Sequence, residues 1–171
     1  LGRAANMEPL LLGIGRRPVI EDCCESIGVS YHGQPVGSFG LAGAISTYVS
    51  HHITTGVGGA VLTNDDRMEH ICRSLIQHGR DLNVKDDWII KRWGHSFRLT
   101  EIEAALGVGF LEGEVMYFQR SERRVVADEI GEIFSRWENI ILPQDWTEDS
   151  SPLFYPIICD AFETCHGLRI E

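Results

Sequence analysis

An α/β architecture, with strands and helices alternating around one sheet, is what this sequence predicts, and three features carry the expectation. Residues 18–22, 44–49 and 60–63 are short apolar runs bounded by turn formers, the pattern of buried strands. Apolar positions recur at helical spacing over Met68, Ile71, Cys72, Leu75 and Ile76, and again over Val126, Ile130, Ile133, Phe134 and Trp137. The first strand ends in adjacent acids, Glu21-Asp22, and open α/β sheets bind ligands at the carboxyl ends of their strands.

Taken in order, residues 4–16 read as a short helix despite Pro9 and two glycines, and the strand begun at Pro18 follows it. Residues 31–37 form a hairpin-like excursion with turn chemistry at Gly33 and Pro35, which makes His32 a surface turn residue. The next two strands flank Ser50-His51-His52-Ile53-Thr54-Thr55-Gly56-Val57-Gly58-Gly59, so a polar, glycine-rich connection carries two adjacent histidines. By bare chemistry these are a base, a pair of metal ligands or an ordinary polar loop. Asn64 or Asp65 caps the helix that Gly79 ends, and Met68 to Ile76 supply its core face, with Cys72 as a packing residue. Residues 80–93 are a charged loop or short helix. Thr100 and Glu103 form a capping box, and the helix they start packs Ile102, Leu106 and Phe110 on one side, at or near a dimer interface. The amphipathic helix over 126–137 follows, then strands over 140–142 and 154–158 joined by a loop over 143–152.

Composition narrows the class of partner. The chain has 171 residues, 43% of them hydrophobic, enough for one sizeable core or one core plus a small lobe. Its net charge of −10 argues against a nucleic-acid or anionic-membrane surface, because phosphate backbones demand clustered cations. Arg16-Arg17 and Arg123-Arg124 read as solvated helix ends. No apolar run reaches bilayer length and the opening residues do not read as a signal peptide, so a cytoplasmic setting is expected. Cys23, Cys24, Cys72, Cys159 and Cys165 are odd in number and lack C-x-x-C spacing, which predicts reduced thiols and neither a disulfide framework nor a zinc site.

The order of motifs is more specific than any one of them. Glu21-Asp22, then Gly37-Ser38-Phe39-Gly40, Ser46, the histidine loop, Gly94-His95-Ser96-Phe97-Arg98 and Thr100-Glu101-Ile102-Glu103-Ala104-Ala105-Leu106-Gly107 together resemble the DegT/DnrJ/EryC1/StrS-type, vitamin B6-dependent sugar aminotransferase and dehydratase family. The resemblance covers most of residues 1–160. It implies the aspartate-aminotransferase-like fold (fold type I), with residues 1–112 as part of the large cofactor-binding domain and 113–171 as a connecting helix and the start of the small α+β domain. Both are expected to be incomplete, since whole members of the family are longer at both ends.

The resemblance also assigns roles. Asp22 matches the acid that pairs with the pyridine nitrogen of pyridoxal or pyridoxamine 5′-phosphate; a carboxylate keeps that nitrogen protonated and the ring electron-withdrawing. Glu25 stands where relatives place a polar group near the ring. Ser46 matches the serine that touches the cofactor phosphate. Ser96 replaces an asparagine that reaches the phosphate of the neighbouring subunit's cofactor, which implies a homodimer. His51 occupies the place of the lysine that anchors the cofactor covalently in the aminotransferases. Imidazole forms no stable imine but is a base or acid near neutral pH, so His51 points to the histidine-containing 3-dehydratase branch.

Likeness to that branch implies C3 deoxygenation of a nucleotide-linked 4-keto-6-deoxyhexose in deoxysugar and lipopolysaccharide O-antigen synthesis, with an amino-acid donor such as glutamate restoring the amine cofactor. A sugar aminotransferase, or an inactive scaffold or dimerisation relative, is the alternative. The scaffold reading draws on Val57, which stands where many relatives carry glutamate. An iron–sulfur cluster is not expected, because the cysteines that would accompany Cys24 fall at Leu82, Val84 and Arg92.

Overall fold

The computed structural model describes residues 2–84, 89–143 and 150–159. Helix α1 (Met7–Ile14) is followed by β1 (Ile20–Asp22), a hairpin of β2 (Ser30–Tyr31) and β3 (Gln34–Pro35), then β4 (Ala42–Ser46) and β5 (Gly59–Leu62). Helices α2 (Asp66–Ile76), α3 (Glu101–Glu112) and α4 (Val115–Phe134) come next, and β6 (Ile140–Ile141) and β7 (Ile158–Cys159) close the described chain. The central sheet has the order β1-β4-β5. β1 runs parallel to β4, with Asp22 opposite Ala44, whereas β5 returns antiparallel, with Gly59 opposite Ser46. The carboxyl ends of β1 and β4 therefore share one edge, and the histidine loop springs from it.

Local chemistry accounts for the boundaries. His32 and Gly33 both take positive φ, the two-residue turn whose twist matches a β-hairpin, and Ser30 pairs with Pro35 across it. The Tyr31 hydroxyl donates to Asn6 Oδ1 at 2.6 Å. That engagement fits Asn6 standing before α1 without a side-chain cap bond. Asp65, rather than Asn64, caps α2 by accepting the Met68 N–H at 2.7 Å. Thr100 and Glu103 complete a reciprocal capping box at the start of α3. α3 and α4 are separated by Gly113 and Glu114, the latter left-handed at φ 55.

Several expectations need correction. β1 is not buried along its length: Glu21 is covered while Ile20 and Asp22 are exposed. β4 begins at Ala42 and ends at Ser46, and every residue of β5 is exposed. α2 stops at Ile76, and Ser74 is its buried residue; its apolar positions are half-buried or exposed, and none is a core residue. His78 and Gly79, both left-handed, then carry the chain back toward Arg92. No residue of α3 is buried, and Ile102 is 77% exposed. Arg123 and Arg124 lie inside α4, half-buried, and not at a helix end. The strand expected over 154–158 is reduced to Ile158–Cys159, paired with β6, and part of the loop expected over 143–152 lies outside the described residues, as does Cys165. Among the described residues the apolar core consists of Met7, Cys23, Val29, Ala42, Ile53 and Ala127.

Candidate active site

The shared edge of β1 and β4 is built from an alternation that strand geometry imposes. Successive side chains point to opposite faces, so Glu21 is buried, 8% exposed, and Asp22 is exposed beside it. Glu21 Oε2 accepts the Gly37 N–H at 2.7 Å, and Oε1 accepts those of Phe39 at 2.8 Å and Gly40 at 2.7 Å. A buried carboxylate thus ties the end of β1 to the glycine-rich turn that leads into β4. The turn needs glycine where it passes closest: a Cβ on Gly43 would stand 2.6 Å from the Gly37 Cα.

Asp22 Oδ1 accepts the Cys24 N–H at 3.1 Å. The neighbouring Cys24 thiol, whose Sγ lies 3.9 Å from Ala44 O, and the Cys24 N–H that donates to Asp22 hold the Asp22 carboxyl below the ordinary carboxylate range, and the charge of His51 adds to this. Asp22 is therefore an exposed, ionised carboxylate within electrostatic reach of His51. Asp22, Cys24, Glu25 and Arg3 line a cavity of about 460 Å³ at the end of β1. Burial pushes the Cys23 and Cys24 thiols up to about 11, so both are protonated thiols near neutral pH.

Ser46 closes β4. Its Oγ accepts the Tyr48 N–H at 3.2 Å, and its own hydrogen meets no acceptor among the described residues. The histidine loop is then drawn together at its neck: the Thr47 N–H donates to Gly58 O at 3.1 Å, the Thr55 N–H to Thr47 O at 2.9 Å, and the two threonine hydroxyls lie 2.7 Å apart. Within the loop the His51 N–H donates to Tyr48 O at 2.9 Å. His51 Nδ1 is buried without a partner among the described residues, which leaves Nε2 as the ring nitrogen that a bound molecule can reach. His52 points inward, 2% exposed, with Nε2 3.0 Å from Ser151 O. Burial, together with the charge of Arg123, pushes His52 down to about 4, so it is neutral at physiological pH.

Of the residues the sequence singled out, Asp22 and Glu25 line the cavity, His51 lies within electrostatic reach of Asp22, and Ser46 ends β4, the strand beside β1. Ser96 is not part of the cavity's lining. It is bridged to Gln77 and exposed, with its Oγ accepting from Arg98 at 3.2 Å, next to a second cavity of about 850 Å³ lined by Val57, Cys72, Phe97, Arg98 and Thr100. The segment over 80–93 is closed by a bridge from Arg80 to Ile90 and an ion pair of Asp81 with Lys91 at 2.6 Å. Sequence reasoning missed Glu21 as a structural acid; an acid on the alternate face of a strand that precedes Gly37-Ser38-Phe39-Gly40 was the signal to use. Among the described residues no three of histidine, cysteine, aspartate and glutamate are grouped to hold a metal ion, and no helix is long and apolar enough to cross a membrane.

The edge thus offers an ionised carboxylate, a hydroxyl with a hydrogen to donate, and an imidazole with one open nitrogen. Those groups suit a protonated ring nitrogen, an anionic oxygen and a proton in transit, respectively. Comparison with known proteins gives the same picture a lineage. The chain is 31% identical over 176 residues to the lipopolysaccharide biosynthesis protein RfbH of Salmonella typhimurium, covering 90% of this chain and 40% of that protein. It is 36% identical over 127 residues to GDP-perosamine synthase of Caulobacter vibrioides, covering 72% of this chain and 33% of that one. Among solved structures it superimposes on E. coli GDP-4-keto-6-deoxy-D-mannose-3-dehydratase with bound hydrated PLP at a TM-score of 0.83 and 28% identity, over 95% of this chain and 45% of that one. The chain therefore spans less than half the length of these relatives, and its fold class is the expected α/β, aspartate-aminotransferase-like one. With the family profile matching residues 2–168, the chain belongs to the DegT/DnrJ/EryC1/StrS aminotransferase family.

Proposed function

We propose that this chain is part of a pyridoxal/pyridoxamine phosphate-dependent 3-dehydratase that removes the C3 hydroxyl of a nucleotide-linked 4-keto-6-deoxyhexose, a GDP-linked 4-keto-6-deoxymannose being the favoured substrate. The observation that carries the reading is His51: at the edge where Asp22 and Ser46 emerge, the group presented is an imidazole with Nε2 open and not an amine. When bound, the cofactor supplies an amine for the C4 ketone and an electron-withdrawing ring. Asp22, held ionised by Cys24, keeps the ring nitrogen protonated. Ser46 Oγ donates to the phosphate, and Glu25 borders the cavity at the ring. His51 Nε2 is the proton acceptor of the dehydration, a role for which a positioned imidazole is suited.

The remaining parts of the proposal concern partners. Ser96, exposed and outside the lining of the cavity at Asp22, serves the cofactor phosphate of a second subunit in a homodimer, and an amino acid such as glutamate returns the amine form. A sugar aminotransferase is the second reading, favoured by the 36% identity to GDP-perosamine synthase and opposed by His51. The test supplies the full-length protein with pyridoxamine phosphate and candidate nucleotide-linked 4-keto-6-deoxy sugars. Loss of one water from the sugar, seen by mass spectrometry, is the expected result. An amino sugar formed without water loss would make it an aminotransferase, and no product of either kind would leave the inactive relative.

A further inference from the structure

His52 stands next to the assigned base and takes no part in the chemistry assigned above. Its ring is buried, and Nε2 lies 3.0 Å from the carbonyl oxygen of Ser151, 99 residues away in sequence. A carbonyl only accepts, so the neutral ring carries its hydrogen on Nε2, and Nδ1 is left as a buried atom without a partner among the described residues. The acceptor is held as firmly as the donor. Ser150, Ser151 and Pro152 are all buried. The Ser151 N–H donates to Gly2 O at 2.8 Å, and the neighbouring Ser150 carbonyl accepts from Arg120 Nε of α4 at 2.9 Å. Arg120 also donates, through a second guanidinium nitrogen, to Gly28 O at 2.8 Å. Gly2 is left-handed at φ 82, and a Cβ there would stand 1.9 Å from Ser151 O, so the approach requires glycine.

The histidine loop is thus fastened at two levels. Thr47, Thr55 and Gly58 close its neck, which fixes where it leaves the sheet. Within the loop the His51 N–H donates to Tyr48 O and the Thr54 hydroxyl to His51 O, bonds that hold the turn to itself. The bond from the next residue, His52, ties that turn to a buried carbonyl 99 residues away. We propose that His52 is a positioning residue: by donating Nε2–H to the Ser151 carbonyl it locks the apex of the loop onto the buried 150–152 segment and so sets where the His51 imidazole points. The inference rests on the reading of His51 as the base. If His52 merely satisfied a buried carbonyl, its removal would cost stability and leave His51 unmoved.

The experiment uses full-length protein as wild type, His52→Phe, which keeps a ring of similar size without a donor, and His52→Gln, whose amide can donate to the same carbonyl. The first readout is the nitrogen-15 spectrum of the histidine rings across pH, which needs no substrate. Wild type should show His52 as the Nε2–H tautomer; the Nδ1–H tautomer would overturn the proposal even if His52→Phe fails to fold. His52→Phe should shift the His51 titration curve and speed amide exchange over residues 48–53, and His52→Gln should restore both. The second readout is turnover, where His52→Phe should lower kcat by about 10²-fold with KM unchanged, the scale expected for a displaced catalytic group. An unmoved His51 curve in a folded His52→Phe overturns the proposal whatever its stability. Wild type that removes no water from any sugar would instead sink the reading of His51 as a base, while the ring spectra still decide whether His52 positions it.

Discussion

Around the histidine loop polar groups are turned inward and mostly satisfied; along α3 and α4 apolar groups are turned outward and uncovered. Glu21 is buried on three backbone N–H groups, Thr55 is buried in the neck, and His52 is buried against Ser151. On α3, by contrast, Ile102 and Leu106 are 77% and 51% exposed, and Tyr117 and Phe118 at the start of α4 are exposed as well. Leaving a Leu or Ile in water forgoes roughly 1.5–3 kcal/mol that burial would give. The difference teaches which part of the molecule is held by its own contacts. The loop's geometry is determined by bonds within this chain, whereas the helices present surface that calls for a covering partner, in keeping with a chain that spans 40% of one relative and 45% of another's structure.

The largest effect that would sharpen this contrast is expected at His51. His51→Asn in the full-length protein should still bind pyridoxamine phosphate yet lose dehydration by roughly 10²–10⁴-fold, the share a positioned proton acceptor supplies. His51→Lys should attach the aldehyde form covalently, giving a shifted visible absorbance that borohydride fixes at residue 51, and dehydration should fall. Unchanged water loss in His51→Asn would end the case for this residue as the base. Because the loop is held by its neck and by His52, both variants should unfold at the wild-type temperature.

Asp22→Asn comes next. The side chain keeps its shape and can still accept from Cys24, so the fold should hold while turnover drops by about 10²-fold, the scale of one lost electrostatic contact. Cofactor absorbance should shift as the ring nitrogen loses its proton. Near-normal activity with an unshifted spectrum would take Asp22 out of the site.

How far these two regions could be read from sequence differs for the same physical reason. Asp22, Ser46 and His51 were singled out by resemblance to a family, and what the strand pattern itself could say was that they stand at strand ends and on a short connection; Asp65, Thr100 and Glu103 were legible because caps are local. The Glu21 contacts span 16 to 19 residues and the His52 contact 99, and periodicity carries no information on either. Ile102, Leu106 and Phe110 were read as the packed side of a helix; the helix is there and the packing is not, because spacing cannot say whether a face meets this chain's own core or another surface. Ser96 shows the same limit, since its expected ligand belongs to a second subunit.

The helical surface can be tested through assembly. Leu106→Glu in the full-length protein should weaken a homodimer by about 30-fold in Kd, the change that corresponds to losing about 2 kcal/mol at one interface anchor. Sedimentation across a concentration series would measure it. A dimer of undiminished strength would mean that α3 is covered by the rest of its own chain, and thermal unfolding of the variant would then show the loss.

The smallest effect belongs to the start of α3, where the comparison turns local. Thr100 Oγ1 accepts the Glu103 N–H, while Glu103 accepts from the Thr100 N–H and hydroxyl, each at 2.8 Å. Thr100→Ala should cost about 1 kcal/mol, typical of a lost N-cap. The bonds from Thr100, backbone first, hold the Glu103 carboxyl below its ordinary value, so the folded state binds its proton less readily than the unfolded chain. That part of the stability is therefore present above the ordinary glutamate range and is lost as pH falls through the depressed folded value. Urea midpoints of wild type and Thr100→Ala, followed from neutral pH into acid, should converge as Glu103 is protonated. A difference that stays constant across that range would mean that the cap acts through the Thr100 hydroxyl without help from the Glu103 charge.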